Sequence, residues 1–175
     1  LAQRSGVDWH GVDLRHADAR GIRLVVANAR NAILSHADLR QARLTGIDLT
    51  GADLSDANLE QACLRHATLK NASLARATLT RADLRDASAC GANLRGASLV
   101  QATLAFADLR GADLREANLS GTDLRNADLR GANLSHVDLT GTVLDQTDLR
   151  GADLSGADLS IAAPSTADLL GALWF

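Results

Sequence analysis

The chain has 175 residues, 46% hydrophobic and 22% charged, enough for one domain with a continuous core. Aromatics are only 2%, with no Tyr and no Met, so Leu and Ala must build the interior. A formal charge of -3 gives no reason to expect direct nucleic-acid binding, and no apolar run approaches the ~20 residues that span a bilayer.

The chain begins at Leu1 rather than Met, the mark of a processed product or an excised piece. No stretch has the charged start, apolar middle and small-residue cleavage site of a secretory leader. A cytoplasmic location is the expectation. Two cysteines, Cys63 and Cys90, do not make a disulfide framework in a chain this long and read as free thiols.

From its start the chain reads in fives. The central slot of each unit (residues 4, 9, 14 and onward) is Leu in 28 of 35 units. The slot two residues earlier is Ala in 27 of 35, and the register never slips. Five residues on an α-helix advance about 500°, so these leucines would spiral around the cylinder. On a straight strand an odd period would send them to alternating faces. The chain must therefore turn a corner every five residues, so that Ala and Leu point inward each time. The other three slots hold mostly Asp, Asn, Ser, Thr, Arg and Gly and point out.

The number of units per coil follows from the last slot. Taken at a spacing of 20, one column reads Gly11, Asn31, Gly51, Asn71, Gly91, Gly111, Gly131, Gly151, Gly171. The other three columns hold Gly or Asn at only 8 of 26 positions. Gly and Asn tolerate positive φ best, so one corner of each coil is expected to need that conformation, as in a type II turn. This gives four units per coil, about nine coils, and a rod on the order of 40 Å long at a parallel-strand spacing of about 4.8 Å.

Units such as Ala52-Asp53-Leu54-Ser55-Asp56, Ala112-Asp113-Leu114 and Ala152-Asp153-Leu154 match the consensus Ala-(Asp/Asn)-Leu-x-x of the pentapeptide repeat family. The chain resembles that family from about Val7 to Leu169. The resemblance implies an all-β fold, a right-handed quadrilateral β-helix solenoid, over a single domain 1–175. The central slot is almost never Phe here, whereas the family uses Leu or Phe.

Three central slots, Ala19, Ala29 and Ala89, are underfilled. Trp9, one coil below Ala29, is placed to fill its space, and a small void is expected at Ala89. Toward the C-terminus the pattern changes at Ile161-Ala162-Ala163-Pro164, and residues 161–175 form a cap or a dimer segment. Leu169, Leu170, Leu173, Trp174 and Phe175 would either plug the last coil or join two copies end to end. Large aromatics are typical interface anchors.

Outward slots carry Asp before the central residue and Arg after it, with Asp108, Asp128 and Asp148 in one column and Arg110, Arg130 and Arg150 in another. These read as a solvated ladder of weak ion pairs. Residues 1–100 carry 13 basic and 10 acidic groups, whereas residues 101–175 carry 5 and 11. Asp138, Asp145, Asp153 and Asp158 make a candidate acidic partner surface at that end. His16, His36 and Asp56 share one corner column, but an exposed corner without supporting ligands is a poor metal site, so no metal or other cofactor is expected. No nucleophile–base grouping, phosphate-cradling loop or cleft supports catalysis. Val26 and Phe106 are outward apolar residues in one corner column.

The leading functional reading is a non-enzymatic interaction scaffold, a rigid rod whose outward columns are read by an unknown protein partner, with a possible homodimer through the C-terminal end. The alternative, implied by the family resemblance, is a DNA mimic that inhibits or protects a type II topoisomerase such as gyrase. The 18 basic groups that offset 21 acidic ones weigh against it. A solenoid appended to a larger membrane or effector protein is a third option.

Overall fold

A computed structural model describes residues 6–158 and 166–173. The expected segment around Ile161–Pro164, and Trp174 and Phe175, lie outside the described residues. No helix is present among the described residues. Parallel bridges join residues 20 apart along the rod, from Asp8↔Asn28 to Asp153↔Leu173. Each coil is thus four five-residue units, stacked into a right-handed quadrilateral β-helix. We number the faces by their outward triplets: face 1 holds 8–10, 28–30 and onward, face 2 holds 13–15 and 33–35, face 3 holds 18–20 and 38–40, and face 4 holds 23–25 and 43–45.

One unit shows how the backbone is satisfied. Ala52 N–H closes the preceding corner on Leu49 O at 3.0 Å. Asp53 N–H donates down one coil to Ala32 O (2.9 Å), and Leu54 N–H donates up to Ser73 O (2.7 Å). Asp56 N–H, at the next corner, donates up to Ala75 O (2.9 Å). Four of the five amides are therefore settled by main chain. The fifth, Ser55 N–H, points outward and is taken by the Asp53 carboxylate at 3.0 Å. Asp or Asn recurs one residue before the central Leu because its short side chain folds back onto this remaining donor, as in an Asx-turn.

The corners correct one expectation. Positive φ is not confined to one column: every corner residue from Gly6 to Gly156 has it, including His16 (59°), Val26 (55°), Gln61 (57°) and Phe106 (62°). Each corner is a β-turn with a left-handed third residue, the type II signature. At two positions of the Gly and Asn column a steric demand is added, whereas a Cβ at Gly11, Gly111, Gly131 or Gly151 would meet nothing within 4 Å. A Cβ on Gly51 would sit 2.5 Å from Asn31 Oδ1, and one on Gly91 would sit 2.6 Å from Asn71 Oδ1, because each Asn leans over the next coil. Real Cβ atoms do not approach so closely.

The central leucines from Leu24 to Leu154 are all buried, with the small alanines of the slot two before alternating between them. Large beside small is what lets neighbouring units interdigitate at native density. Three of those slots hold Thr. Thr122, Thr142 and Thr147 are buried, and their hydroxyls donate to Leu99 O, Leu119 O and Leu124 O at 2.8–2.9 Å. Each of these carbonyls also accepts the N–H that closes its own corner, so the hydroxyl uses the second lone pair and none of the three buried hydroxyls is orphaned.

Interior space lies at the first coils, and Ala89 is itself buried at 2% exposure. A cavity of about 10 Å³ is lined by Trp9, Ala19 and Ala29 among others, so Trp9 fills most of the space that Ala29 leaves. That volume is at the lower edge of what one water needs. At this end Trp9, Val12, Leu14, Ala19 and Ile22 are only partly buried against the core.

Candidate interaction surface

The outward triplets make four columned faces, and their chemistry is set by which residue follows the turn-closing Asp. Where Arg follows, it returns to the same carboxylate. Arg110, Arg130 and Arg150 each grip Asp108, Asp128 and Asp148 through Nε and a terminal nitrogen at 2.6–2.9 Å. Each Nε also reaches the Asp one coil on, at 3.6 Å for Asp128, 3.6 Å for Asp148 and 3.5 Å for Asp168. This is a continuous ion ladder along face 1. Face 3 carries the same device at the other end, where Arg40 grips Asp38 and Arg20 reaches Asp38 at 3.7 Å. The hydrogen bonds from Arg40 hold the Asp38 carboxyl down at about 2. Asp108, Asp123, Asp128 and Asp148 are likewise held below the usual carboxylate range by the arginine two residues on.

The candidate acidic residues do not converge on one face. Asp138 and Asp158 share a column on face 3, Asp153 lies on face 2, and Asp145 on face 4. Asp138 accepts Thr140 N–H at 2.9 Å and Ser120 Oγ at 2.8 Å, and hydrogen bonds from Thr140 and Ser120 keep its carboxyl low. Asp153 accepts both the N–H and the hydroxyl of Ser155, which lower it in the same way. Asp145 meets Thr166 Oγ1 at 3.4 Å. Asp138 and Asp153 are thus turn-closing groups as well as surface charges.

At the C-terminal end Leu169 packs partly against the core, whereas Leu170 is 76% and Leu173 50% exposed. At the corner column of His16, the two imidazoles of His16 and His36 stack with centroids 4.9 Å apart and planes 8° off parallel. Asp56 is engaged by Arg76 at 2.7 and 2.8 Å rather than turned toward the histidines. Among the described residues no group of three metal-ligating side chains assembles. Cys63 and Cys90 are free, partly buried and on faces 4 and 1. No helix among the described residues is long and apolar enough to cross a membrane.

Face 4 departs from the ladder in a way the sequence reading missed. Arg23 and Arg43 occupy the slot that elsewhere holds the turn-closing Asp, and they are followed by Val25 and Thr45. Neither forms an ion pair among the described residues, nor do Arg65 and Arg81. Arg81 donates to Gln101 at 2.9 Å, and Arg65 Nε is buried without a hydrogen-bond partner. The signal was legible: an Arg before the central Leu, with no acid two residues away.

Comparison with known proteins agrees with this geometry. The family model for pentapeptide repeats matches with 8 copies, over residues 10–46, 32–71, 69–104, 92–131 and 127–160. No curated protein sequence matches the chain. Among solved structures, the chain is similar to HetL, a pentapeptide repeat protein involved in heterocyst differentiation regulation in the cyanobacterium Nostoc sp. strain PCC 7120. The identity is 36%, over 97% of this chain and 86% of that one, with a TM-score of 0.68. A pentapeptide repeat protein from the Arabidopsis thaliana thylakoid lumen is 31% identical over 63% of this chain and 70% of that one, with a TM-score of 0.50. QnrB1, a plasmid-mediated fluoroquinolone resistance protein, shares the fold at 18% identity, covering 99% of this chain and 94% of that one with a TM-score of 0.51. With the repeat matched over most of its length and the coil geometry in place, the chain belongs to the pentapeptide repeat family.

Proposed function

We propose that this chain is a non-enzymatic interaction scaffold, a stiff rod whose faces are read by a protein partner. The observation that carries the reading is the division of labour within each unit. Inward slots are consumed by the core and four of the five amides by main chain, three through stacking and one through the corner, as in the unit at Leu54, while the outward slots vary from coil to coil without disturbing the backbone. Such a surface is free to encode a partner in columns spaced about 4.8 Å apart. The described faces carry only open, shallow grooves and lack a grouping of nucleophile and base, which supports binding rather than turnover. The exposed Leu170 and Leu173 support an end-to-end homodimer as part of the same reading.

The topoisomerase-mimic reading has less support. A DNA mimic needs uncompensated carboxylates in a row, and the Asp columns of faces 1 and 3 are gripped by arginines or by turn amides. The test is proximity labelling in the source cell with the wild-type rod and with variants in which one face at a time is charge-reversed. Loss of a defined partner on reversal of one face is the expected result. A set of neighbours indifferent to every face would overturn the scaffold reading. Inhibition of gyrase supercoiling at micromolar protein would favour the mimic.

A further inference from the structure

We propose that face 4, around Arg23 and Arg43, is the docking strip for an extended acidic protein segment that also carries apolar side chains. Two independent anomalies coincide there. The first is electrostatic. Arg23 and Arg43 stack in one slot on successive coils without an ion-pair partner among the described residues, whereas arginines elsewhere on the rod, such as Arg15, Arg40, Arg115 and Arg150, are gripped by Asp. Arg65 lies two residues further along the face, where it adds to the lowering of Asp83 by Arg85, and Arg81 sits at the preceding corner on Gln101. Like charges one coil apart, as at Arg23 and Arg43, repel each other, so that pair is a cost that a bound anion would remove. Between the first two, Gly21, Arg23, Gln41 and Arg43 line an open groove of about 430 Å³.

The second anomaly is conformational. The corner bordering this face holds Val26 and Phe106 at φ of 55° and 62°, with 63% and 60% of their surface exposed. A β-branched or aromatic residue is disfavoured in the left-handed region and gains nothing there from burial. Val26 stands at the opposite edge of face 4 from the Gly21 and Gln41 corner that lines the groove, and Phe106 stands at Val26's corner four coils on. An exposed Val26 bordering the two stacked guanidiniums of Arg23 and Arg43 fits a partner with carboxylates and apolar side chains together, while farther along the same corner His66 and Asp86 pair with each other at 3.9 Å. The strip has no aromatic side chain in its centre, where Thr45, Cys63 and Arg65 lie, so it offers no stacking platform for single-stranded bases.

This rests on the scaffold reading but names one face. Its failure leaves the other faces open, whereas the face-by-face labelling above decides the scaffold reading itself. The experiment is fluorescence anisotropy of the intact chain with a fluorescein-labelled peptide of Glu-Glu-Leu repeats, with an oligo-dT strand of matched charge as the second arm. Saturable peptide binding that weakens as salt rises from about 0.05 to 0.5 M is expected. Arg23→Glu with Arg43→Glu weakens it about tenfold or more. Val26→Gly weakens it about threefold while the melting temperature holds or rises, because the left-handed corner is relieved. Arg115→Gln on face 2 changes it less than about twofold, since that guanidinium is already paired. Absent peptide binding at low salt, equal loss with Arg115→Gln, or oligo-dT binding as tight and as dependent on Arg23 and Arg43 would each overturn the proposal.

Discussion

Asp123 separates two roles that the repeat fuses, closing the turn and pairing with a base. Its carboxylate accepts Arg125 N–H at 3.1 Å and the Arg125 guanidinium at 2.9 and 2.7 Å. The Asp123 side chain is 20% exposed and its Arg125 partner 56%. An ion pair with so exposed a partner contributes about 0–1 kcal/mol. Closing a main-chain amide resembles helix N-capping, where loss of the acceptor costs about 1 kcal/mol. Asp123→Asn keeps an oxygen for the amide and discards the charge, so it should cost less than ~0.5 kcal/mol. Asp123→Ala discards both and should cost about 1–2 kcal/mol, or a few degrees in melting temperature. The assay is thermal and urea unfolding followed by circular dichroism, with Arg125→Gln as the charge-only control. If Asp123→Asn and Arg125→Gln cost as much as Asp123→Ala, the ion pair and not the turn amide is the reason for Asp in this slot. Val143, one coil on in the same column, sets the lower bound, because the fold there proceeds without a side-chain acceptor.

Core substitutions should scale with distance from the ends: Leu74→Ala, in a fully buried slot, should cost about 2–5 kcal/mol in urea unfolding, and Leu14→Ala, in the half-buried first coil, less than half of that. Stability should fall with acid. Asp38 is lowered to about 2 against an unfolded value near 3.9, so its stabilisation is complete above about pH 5 and is lost as pH falls through 4 toward 2. The other gripped carboxylates shift in the same direction, and a melting temperature that stayed flat from about pH 6 to pH 3 would contradict this. At the C-terminal end, sedimentation of the wild type as a dimer and of Leu170→Asp with Leu173→Asp as a monomer is expected, and a wild type that already runs as a monomer removes the end contact.

Much of the fold was legible because the repeat acts twice. Leu and Ala two apart in every unit fix which side chains face in, and a column that repeats at 20 fixes the coil. The reason for that column was misread. Backbone conformation is shared by all four corners, as Gln61 and Phe106 show, so composition at a corner reports neighbours such as Asn31 over Gly51 as well as φ. The slot before Leu was read only as charge. Its main duty, to Ser55 N–H in the unit at Asp53, depends on which of five amides the stacking leaves over, and that follows only once coils are placed against each other. The same blindness hid face 4, since an Arg is bare only relative to the acid that its neighbours have. The acidic cluster dispersed for a related reason: Asp138, Asp145 and Asp153 are close in sequence, but each step of five turns the chain through a corner.

The coil of 20 residues is tested most directly by a distance along the rod. With Cys63 and Cys90 replaced by Ser, spin labels at Arg30 and Arg150 sit in one face 1 column, 120 residues apart in sequence. Six coils at about 4.8 Å predict a narrow electron–electron distance distribution centred near ~29 Å, broadened by the label linkers. A distribution centred more than about 10 Å away, or too broad to define a centre, would contradict a stack of four-unit coils.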